Sequence, residues 1–136
     1  MLTLRKNKGN KLTHDEMDAN FEYAANPSGK KVYKALLSQS GTDAPVATVL
    51  ENTLGGEVVW SRVGIGLYDC VGINLFPINK TLKQLTLGYT WEMDSAAAWY
   101  SNNTNDGFTI ATMQDDLTAF SDNVLENASI NIEVYP

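Results

Sequence analysis

Short runs of β-forming residues, separated by clusters of turn-forming residues, are the feature that most restricts the fold of this chain of 136 residues. In the run 129–135, Ile130, Ile132 and Val134 alternate with polar residues, which is typical of a strand with one buried and one wet face. Similar runs recur at 32–39, 47–51, 57–63, 66–71, 75–78, 82–89 and 108–113. This spacing predicts a mainly β fold, an antiparallel β-sandwich of jelly-roll-like type.

The first 29 residues follow a different pattern. Thr13 and Glu16 form a capping box, which predicts a short N-terminal helix over about residues 14–25. Met17 and Phe21 lie on one narrow apolar stripe of this helix. A helix of about three turns is marginal in water, so the stripe needs a partner surface, either on its own domain or on another protein. We therefore expect an N-terminal docking segment, 1–29, followed by one β-sandwich domain, 30–136.

Charge is distributed unevenly along the chain. Residues 1–34 hold seven Lys and Arg against four Asp and Glu, whereas residues 35–136 hold three against twelve. An acidic body argues against a nucleic-acid partner, because phosphate binding needs clustered Lys and Arg. The basic residues Arg5, Lys6 and Lys8 form either a solvated tail or a docking segment for an acidic protein surface. Apolar runs are far shorter than the roughly 20 residues of a membrane span, so we expect no membrane insertion.

Residue types needed for catalysis or metal binding are scarce. His14 and Cys70 are the only histidine and cysteine, so an intramolecular disulfide and a site built on several Cys and His ligands are both excluded. Cys70 falls in a predicted strand and is expected to be a buried structural thiol. We predict no enzyme activity, no catalytic residue, no metal and no cofactor, with a small glycan-cleaving or calcium-dependent enzyme as an alternative. The densest acidic cluster in the sequence is formed by Asp115, Asp116, Asp122 and Glu126. This cluster is either part of a solvated loop or a calcium site.

A polar loop at 101–107 follows two aromatic residues. Trp99 and Tyr100 can stack on sugar rings, and Asn102 and Asp106 can bond sugar hydroxyls, which makes these four residues a candidate glycan site. The alternative is that Trp91 and Trp99 cover the core of the sandwich. Trp60 is expected in the core itself. Residues 95–100 also suit a helical turn, and 115–127 suit a short helix as well as a loop.

The segment 12–21, LTHDEMDANF, preceded by the basic residues 4–9, resembles the N-terminal LT-x-x-E-x-D-x-N-F segment of bacteriophage tail-fibre and other virion proteins. Residues 33–45, 47–56, 76–81 and 128–136 resemble a small domain of phage proteins, so the likeness covers most of the chain. The resemblance implies a virion structural protein, a short tail or head fibre or a decoration or adaptor protein, assembled in the host cytoplasm.

The docking segment would then bind capsid, portal or tail components through five residues: Arg5, Lys6, Lys8, Met17 and Phe21. Since fibres and decoration proteins are usually symmetric, we expect a homo-oligomer, with a homotrimer favoured. The alternative function is a host-surface adhesin that binds glycans through the loop that follows Trp99.

Overall fold

The computed structural model describes residues 2–88, 96–114 and 118–136. It divides into two compact units, of which the first comprises Met1–Lys30 with Tyr135–Pro136 and the second Lys31–Val134. The first unit holds the helices α1 (Arg5–Lys8) and α2 (His14–Ala25). The second holds eight strands: β1 (Lys31–Ser38), β2 (Val46–Asn52), β3 (Val59–Gly64), β4 (Leu67–Val71), β5 (Thr81–Thr86), β6 (Ala96–Ser101), β7 (Gly107–Gln114) and β8 (Ala128–Val134).

Helix α2 begins where the capping box predicts. The Thr13 hydroxyl accepts a hydrogen bond from the backbone N–H of Glu16 (3.2 Å), and the Glu16 carboxylate accepts one from the backbone N–H of Thr13 (2.8 Å). Both bonds satisfy N–H groups that a helix start leaves without partners. The short helix α1 was not predicted. It ends at Gly9, whose φ of 75° lets its N–H close the last turn onto the Arg5 carbonyl.

The leader before α2 is held against this helix by a pair of hydrogen bonds. The backbone N–H of Thr3 donates to Asn20 Oδ1 (2.7 Å), and Asn20 Nδ2 donates to the Thr3 carbonyl (2.9 Å). Lys8 forms a salt bridge with Glu16. The basic leader is therefore part of a folded helical unit, in which Arg5 and Lys6 are exposed to solvent.

The second unit confirms the predicted antiparallel β-sandwich. One sheet has the strand order β2-β1-β8-β5 and the other has β3-β4-β7-β6, and we call them sheet A and sheet B. The pairing is nested along the chain, because β1 pairs with β8 in sheet A while β4 pairs with β7 in sheet B. Nested antiparallel pairing of distant strands is the feature that this sandwich shares with jelly rolls.

The core lies between the two sheets, where alternate residues of the central strands meet. Trp60 is buried as predicted, and its Nε1 donates to the Tyr33 hydroxyl of the opposite sheet (3.1 Å). The Phe108 ring makes edge contacts with three other aromatic rings, those of Trp60, Phe76 and Tyr100. Eight further core residues come from the four central strands: Ala35, Leu37, Tyr68, Cys70, Ile110, Ala128, Ile130 and Ile132.

One sequence prediction needs correction, and two stretches that the sequence left open are resolved. Residues 75–78 form a turn and not a strand, since Leu75 N–H donates to the Gly72 carbonyl and Pro77 has no N–H for a ladder. Ala96–Ser101 is the strand β6 and not a helical turn, because pairing with β7 overrides the helix preference of its alanines. The described part of 115–127, residues 118–127, is a loop without a helix. Tyr89 and Ser95 lie outside the described residues.

Within the described ranges, no helix combines the length and the apolar composition that a membrane span requires.

Candidate functional site

Some residues of the segment 12–21 make side-chain hydrogen bonds within the N-terminal unit, and others do not. Thr13 and Glu16 form the capping box, Glu16 also pairs with Lys8, and Asn20 holds the leader. Phe21, the last residue of the same motif, is 73% exposed. Phe21 is therefore the large apolar residue of the motif that is most exposed, and its side chain is not used in the hydrogen bonds that build the unit.

Other exposed apolar side chains belong to the same helical unit as Phe21. Asn20 fixes Thr3, so Leu2 and Leu4, which flank Thr3, lie beside the part of α2 that carries Phe21. Leu2, Leu4 and Met17 are all exposed. We call these three residues, together with Phe21, the docking face. Sequence reasoning identified Met17 and Phe21 but missed Leu2 and Leu4, because nothing in the sequence shows that Asn20 brings the leader to the helix.

The predicted basic docking residues separate into two groups. Arg5 and Lys6 are exposed on α1 and free of ion pairs among the described residues. Lys8 instead forms the salt bridge with Glu16, and its hydrogen bond is the main cause of the lowered pKa of Glu16. Lys8 is therefore a structural residue of the unit, and Arg5 and Lys6 remain as the cations available to a partner.

The outer face of sheet B carries a row of polar side chains. Ser61 pairs with Asp69, Asp69 with Thr109, and Thr109 with Ser101 across the four strands. We call these four residues the polar row. The Thr109 hydroxyl donates to Asp69 Oδ1 (2.6 Å) and accepts from Asn102 Nδ2 (3.2 Å). Three residues of the row, Asp69, Thr109 and Ser101, line a surface concavity of about 370 Å³ together with Asn102, Thr104 and Asp106.

The predicted glycan residues lie on two faces of sheet B. Trp99 is 39% exposed on the outer face, where it packs beside Phe120 with the ring centroids 5.8 Å apart. It belongs to the row next to the polar row, because it pairs with Ala111. Tyr100 points inward, packs edge-on against Phe108 and has a buried hydroxyl, so it cannot stack on a sugar at the outer face. Trp91 lies outside the described residues.

The polar loop after β6 has a structural role that explains much of its composition. Asp106 Oδ1 accepts from the backbone N–H of Asn74 (2.7 Å), and Asn105 Oδ1 accepts from that of Ile78 (3.0 Å). The carbonyls of Asp106 and Asn105 accept from Gly72 and Phe76. These four bonds tie the loop to residues 72–78. Asp106 therefore holds this turn, and only part of its carboxylate remains available to a ligand.

The acidic loop is also engaged internally. Asp122 accepts hydrogen bonds from Arg62 Nε (3.1 Å) and Nη2 (2.7 Å) and from the backbone N–H of Gly66 (3.0 Å). The Tyr68 hydroxyl lies 2.8 Å from both Asp122 Oδ1 and Gln39 Oε1, and its single proton serves one of them at a time. These partners, Arg62 above all, lower the pKa of Asp122 to about 2. Asp122 is thus an ion-pair residue and not a solvated acid.

The remaining residues with side chains suited to chemistry are Cys70, His14 and the acids of the segment 115–126. Cys70 is buried, and burial raises the pKa of its thiol, which confirms the predicted structural thiol. His14 is exposed at the start of α2. Asp115 and Asp116 lie outside the described residues, and Glu126 is exposed. Among the residues that the structure describes, no group of three His, Cys, Asp or Glu side chains is placed to hold a metal ion.

Comparisons with known proteins find no family model, no curated protein and no solved structure that matches this chain.

Proposed function

We propose that this protein is a structural component of a bacteriophage particle, a short fibre or a decoration or adaptor protein, which binds the particle through its N-terminal unit. The observation that carries the proposal is that the residues of the segment 12–21 have two different roles. Thr13, Glu16 and Asn20 build the unit, and Phe21 is left exposed. In this proposal, these polar residues of the segment fold the helical unit, and the folded unit exposes the Phe21 side chain to the partner.

The docking face also defines the chemistry of the partner. Burial of an exposed phenylalanine contributes about 2 kcal/mol, and Leu2, Leu4 and Met17 add apolar area around it. Arg5 and Lys6 lie on the same small unit and favour acidic neighbours. The partner is therefore a capsid, portal or tail component that offers an apolar pocket with acidic residues at its rim. The β-sandwich is then the part that the particle displays, as a homotrimer if the protein follows the usual symmetry of fibres.

The substitution Phe21→Asp tests this proposal. It removes the apolar contact and places a carboxylate in the pocket, so we expect binding to particles to weaken by at least about 30-fold. Because Phe21 is 73% exposed, the unfolding midpoint of the isolated protein should stay unchanged. The measurement is the amount of this protein relative to the major capsid protein in purified particles, by quantitative mass spectrometry.

Ala19→Asp is the matched control, because it introduces the same charge into α2 at an exposed position away from Met17 and Phe21. Particles should carry this variant at the wild-type level. If the Phe21→Asp variant also reaches that level, the docking face is not where the particle is bound.

A second candidate function, a glycan-binding adhesin, is favoured by the polar row. An exposed Trp99 lies one row away from a hydrogen-bonded carboxylate and hydroxyl on the outer face of sheet B. Stacking on an aromatic ring together with hydrogen bonds to hydroxyl groups is the combination that a sugar requires. This function is compatible with the first, since it uses the second unit only.

Trp99→Ala tests the glycan site. We expect glycans that bind the wild type on a glycan array to bind this variant at least about tenfold more weakly, because the stacking surface is lost. Leu50→Ala is the control, since Leu50 is exposed on β2 of the other sheet. Glycan binding that is unchanged by Trp99→Ala would remove the outer face of sheet B as the site.

A further inference from the structure

An inward-facing lysine lies at one edge of the sandwich. Lys83 of the edge strand β5 pairs with Ile132 of β8, and Ile132 is fully buried, so both side chains are on the inner face of sheet A. Lys83 Nζ lies 5.2 Å from the centroid of the Phe108 ring and 5.8 Å from that of Tyr100. Its side chain is half-buried.

Among the residues that the structure describes, no carboxylate forms an ion pair with the Lys83 ammonium group. Residues 35–136 contain three cations, Arg62, Lys80 and Lys83, against twelve acids. Arg62 is paired with Asp122, whereas Lys83 has no ion pair with any residue in the described ranges. Aromatic faces offset part of the charge, but they do not replace oxygen acceptors for three N–H donors. Burial accordingly lowers the pKa of Lys83.

A pocket of about 280 Å³ opens beside Lys83. Its other lining residues include Asn79 and Asn103, which offer side-chain amides, and Thr81 and Thr104, whose hydroxyls donate to the carbonyls of Pro77 and Gly107. The walls are held in place by the bonds from Ile78 and Phe76 to Asn105, which join the turn before β5 to the loop after β6. The pocket is therefore a fixed cleft with one cation and several neutral polar groups.

We propose that this pocket binds the carboxylate of an acidic sugar residue, with Lys83 as its cationic partner. One ammonium matches a group of single negative charge, whereas a phosphate dianion usually takes more than one cation or an Arg fork. The volume lies at the lower end of the range for ligand pockets and suits a unit the size of one monosaccharide. The amides of Asn79 and Asn103 are available to the hydroxyl groups of the sugar. The inference goes beyond docking and does not depend on the N-terminal unit.

The test is an NMR titration of the isolated full-length protein with sodium glucuronate, glucose or inorganic phosphate, each at the same ionic strength. Glucuronate should cause saturable shifts of the backbone amides of Thr81, Asn103 and Thr104, and glucose should not. Lys83→Met keeps an unbranched side chain only one atom shorter and removes its charge. We expect it to weaken glucuronate binding at least about tenfold, since it removes a hydrogen bond to a charged group.

Lys80→Met is the control, because Lys80 is exposed in the adjacent turn and outside the lining of the pocket. Its affinity for glucuronate should stay within about threefold of the wild type. Three results overturn the proposal: no saturable shift with glucuronate, equal shifts with glucose or phosphate, or full binding by Lys83→Met. If glucuronate causes no saturable shift, the remaining role of Lys83 is to place a charge on the edge strand β5, which prevents this strand from pairing with other chains. If Lys83→Met does not fold, Asn103→Ala, on an exposed loop, replaces it and should weaken binding.

Discussion

Replacing Asp122 with alanine should lower the free energy of unfolding by about 3 kcal/mol. The substitution leaves Arg62 without its bidentate partner and removes the acceptor of the Gly66 N–H. The side chains of the pair are only 19% and 13% exposed for Arg62 and Asp122, so water cannot fully replace the lost bonds. Urea unfolding followed by tryptophan fluorescence measures the loss.

The exposed salt bridge between Lys34 and Glu51 supplies the matched control. Its side chains are 47% and 43% exposed, so Glu51→Ala should cost less than about 0.5 kcal/mol. Equal losses for Asp122→Ala and Glu51→Ala would show that the Asp122 network does not stabilise the fold.

The same carboxylate makes stability depend on pH in a defined window. Its pKa is about 2 in the folded protein, mainly because of the hydrogen bond from Arg62, against about 3.9 for an ordinary Asp. A lowered pKa adds stability above the ordinary value and loses it as the pH falls through the folded value. Between pH 5 and pH 2 the wild type should therefore lose about 1–2 kcal/mol more than Asp122→Ala, after allowance for solvent screening.

Gly107→Ala should be comparably severe, with a loss of about 3 kcal/mol. A Cβ at Gly107 would collide with the carbonyl oxygen of Cys70 on the neighbouring strand, and backbone atoms cannot move aside as a side chain can. Relief of the collision requires β7 to move away from β4, where Gly107 pairs with Val71. The loop residues Asn102 and Asp106 should shift with it, which two-dimensional NMR spectra would show.

Gly64→Ala is the control for this substitution. A Cβ at Gly64 would meet only the Leu67 side chain, at an ordinary contact distance of 3.4 Å, so the cost should stay below about 1 kcal/mol. A Gly107→Ala variant as stable as Gly64→Ala would mean that β4 and β7 are less closely spaced than the structure has them.

The parts of the fold that follow from local signals were predictable from the sequence. The helix α2 depends on a capping box that spans four residues, Thr13 to Glu16, and on an apolar stripe within the twelve residues of the helix. The sandwich follows from alternation within single strands, as in β8, where Ile130, Ile132 and Val134 are all buried. Both signals are contained in a short stretch of chain, so no knowledge of the partner strand is needed.

Features that depend on distant partners were not predictable. Strand β6 contains three consecutive alanines, and only its pairing with β7 makes it a strand. Asp122 belongs to a dense run of acids in the sequence, and its role depends on Arg62, which is 60 positions away. Likewise, the sequence alone predicts Lys83 to be a polar residue on the outer face of a strand. Only its pairing with Ile132 shows that its side chain is on the inner face.

The candidate glycan residues show the same limit. Trp99 and Tyr100 are neighbours in sequence, so a strand must send them to opposite faces, and the possibility of a helical turn at 95–100 concealed this. Asp106 was selected for its polarity, but its carboxylate bonds the turn at Asn74. The composition of a loop does not distinguish groups that bind a ligand from groups that hold neighbouring backbone.

The pairing of β1 with β8 also determines the order in which the chain can mature. Tyr33 and Ile132 are partners 99 positions apart, so closing sheet A requires a large loss of chain entropy and should be a slow step in folding. Every contact of α2 described for the docking face lies within the first 26 residues and can form as soon as these leave the ribosome. Under the proposed function, a nascent chain would thus carry its docking face well before the β-sandwich is complete. Aborted translation products would then compete with whole molecules for places on the particle.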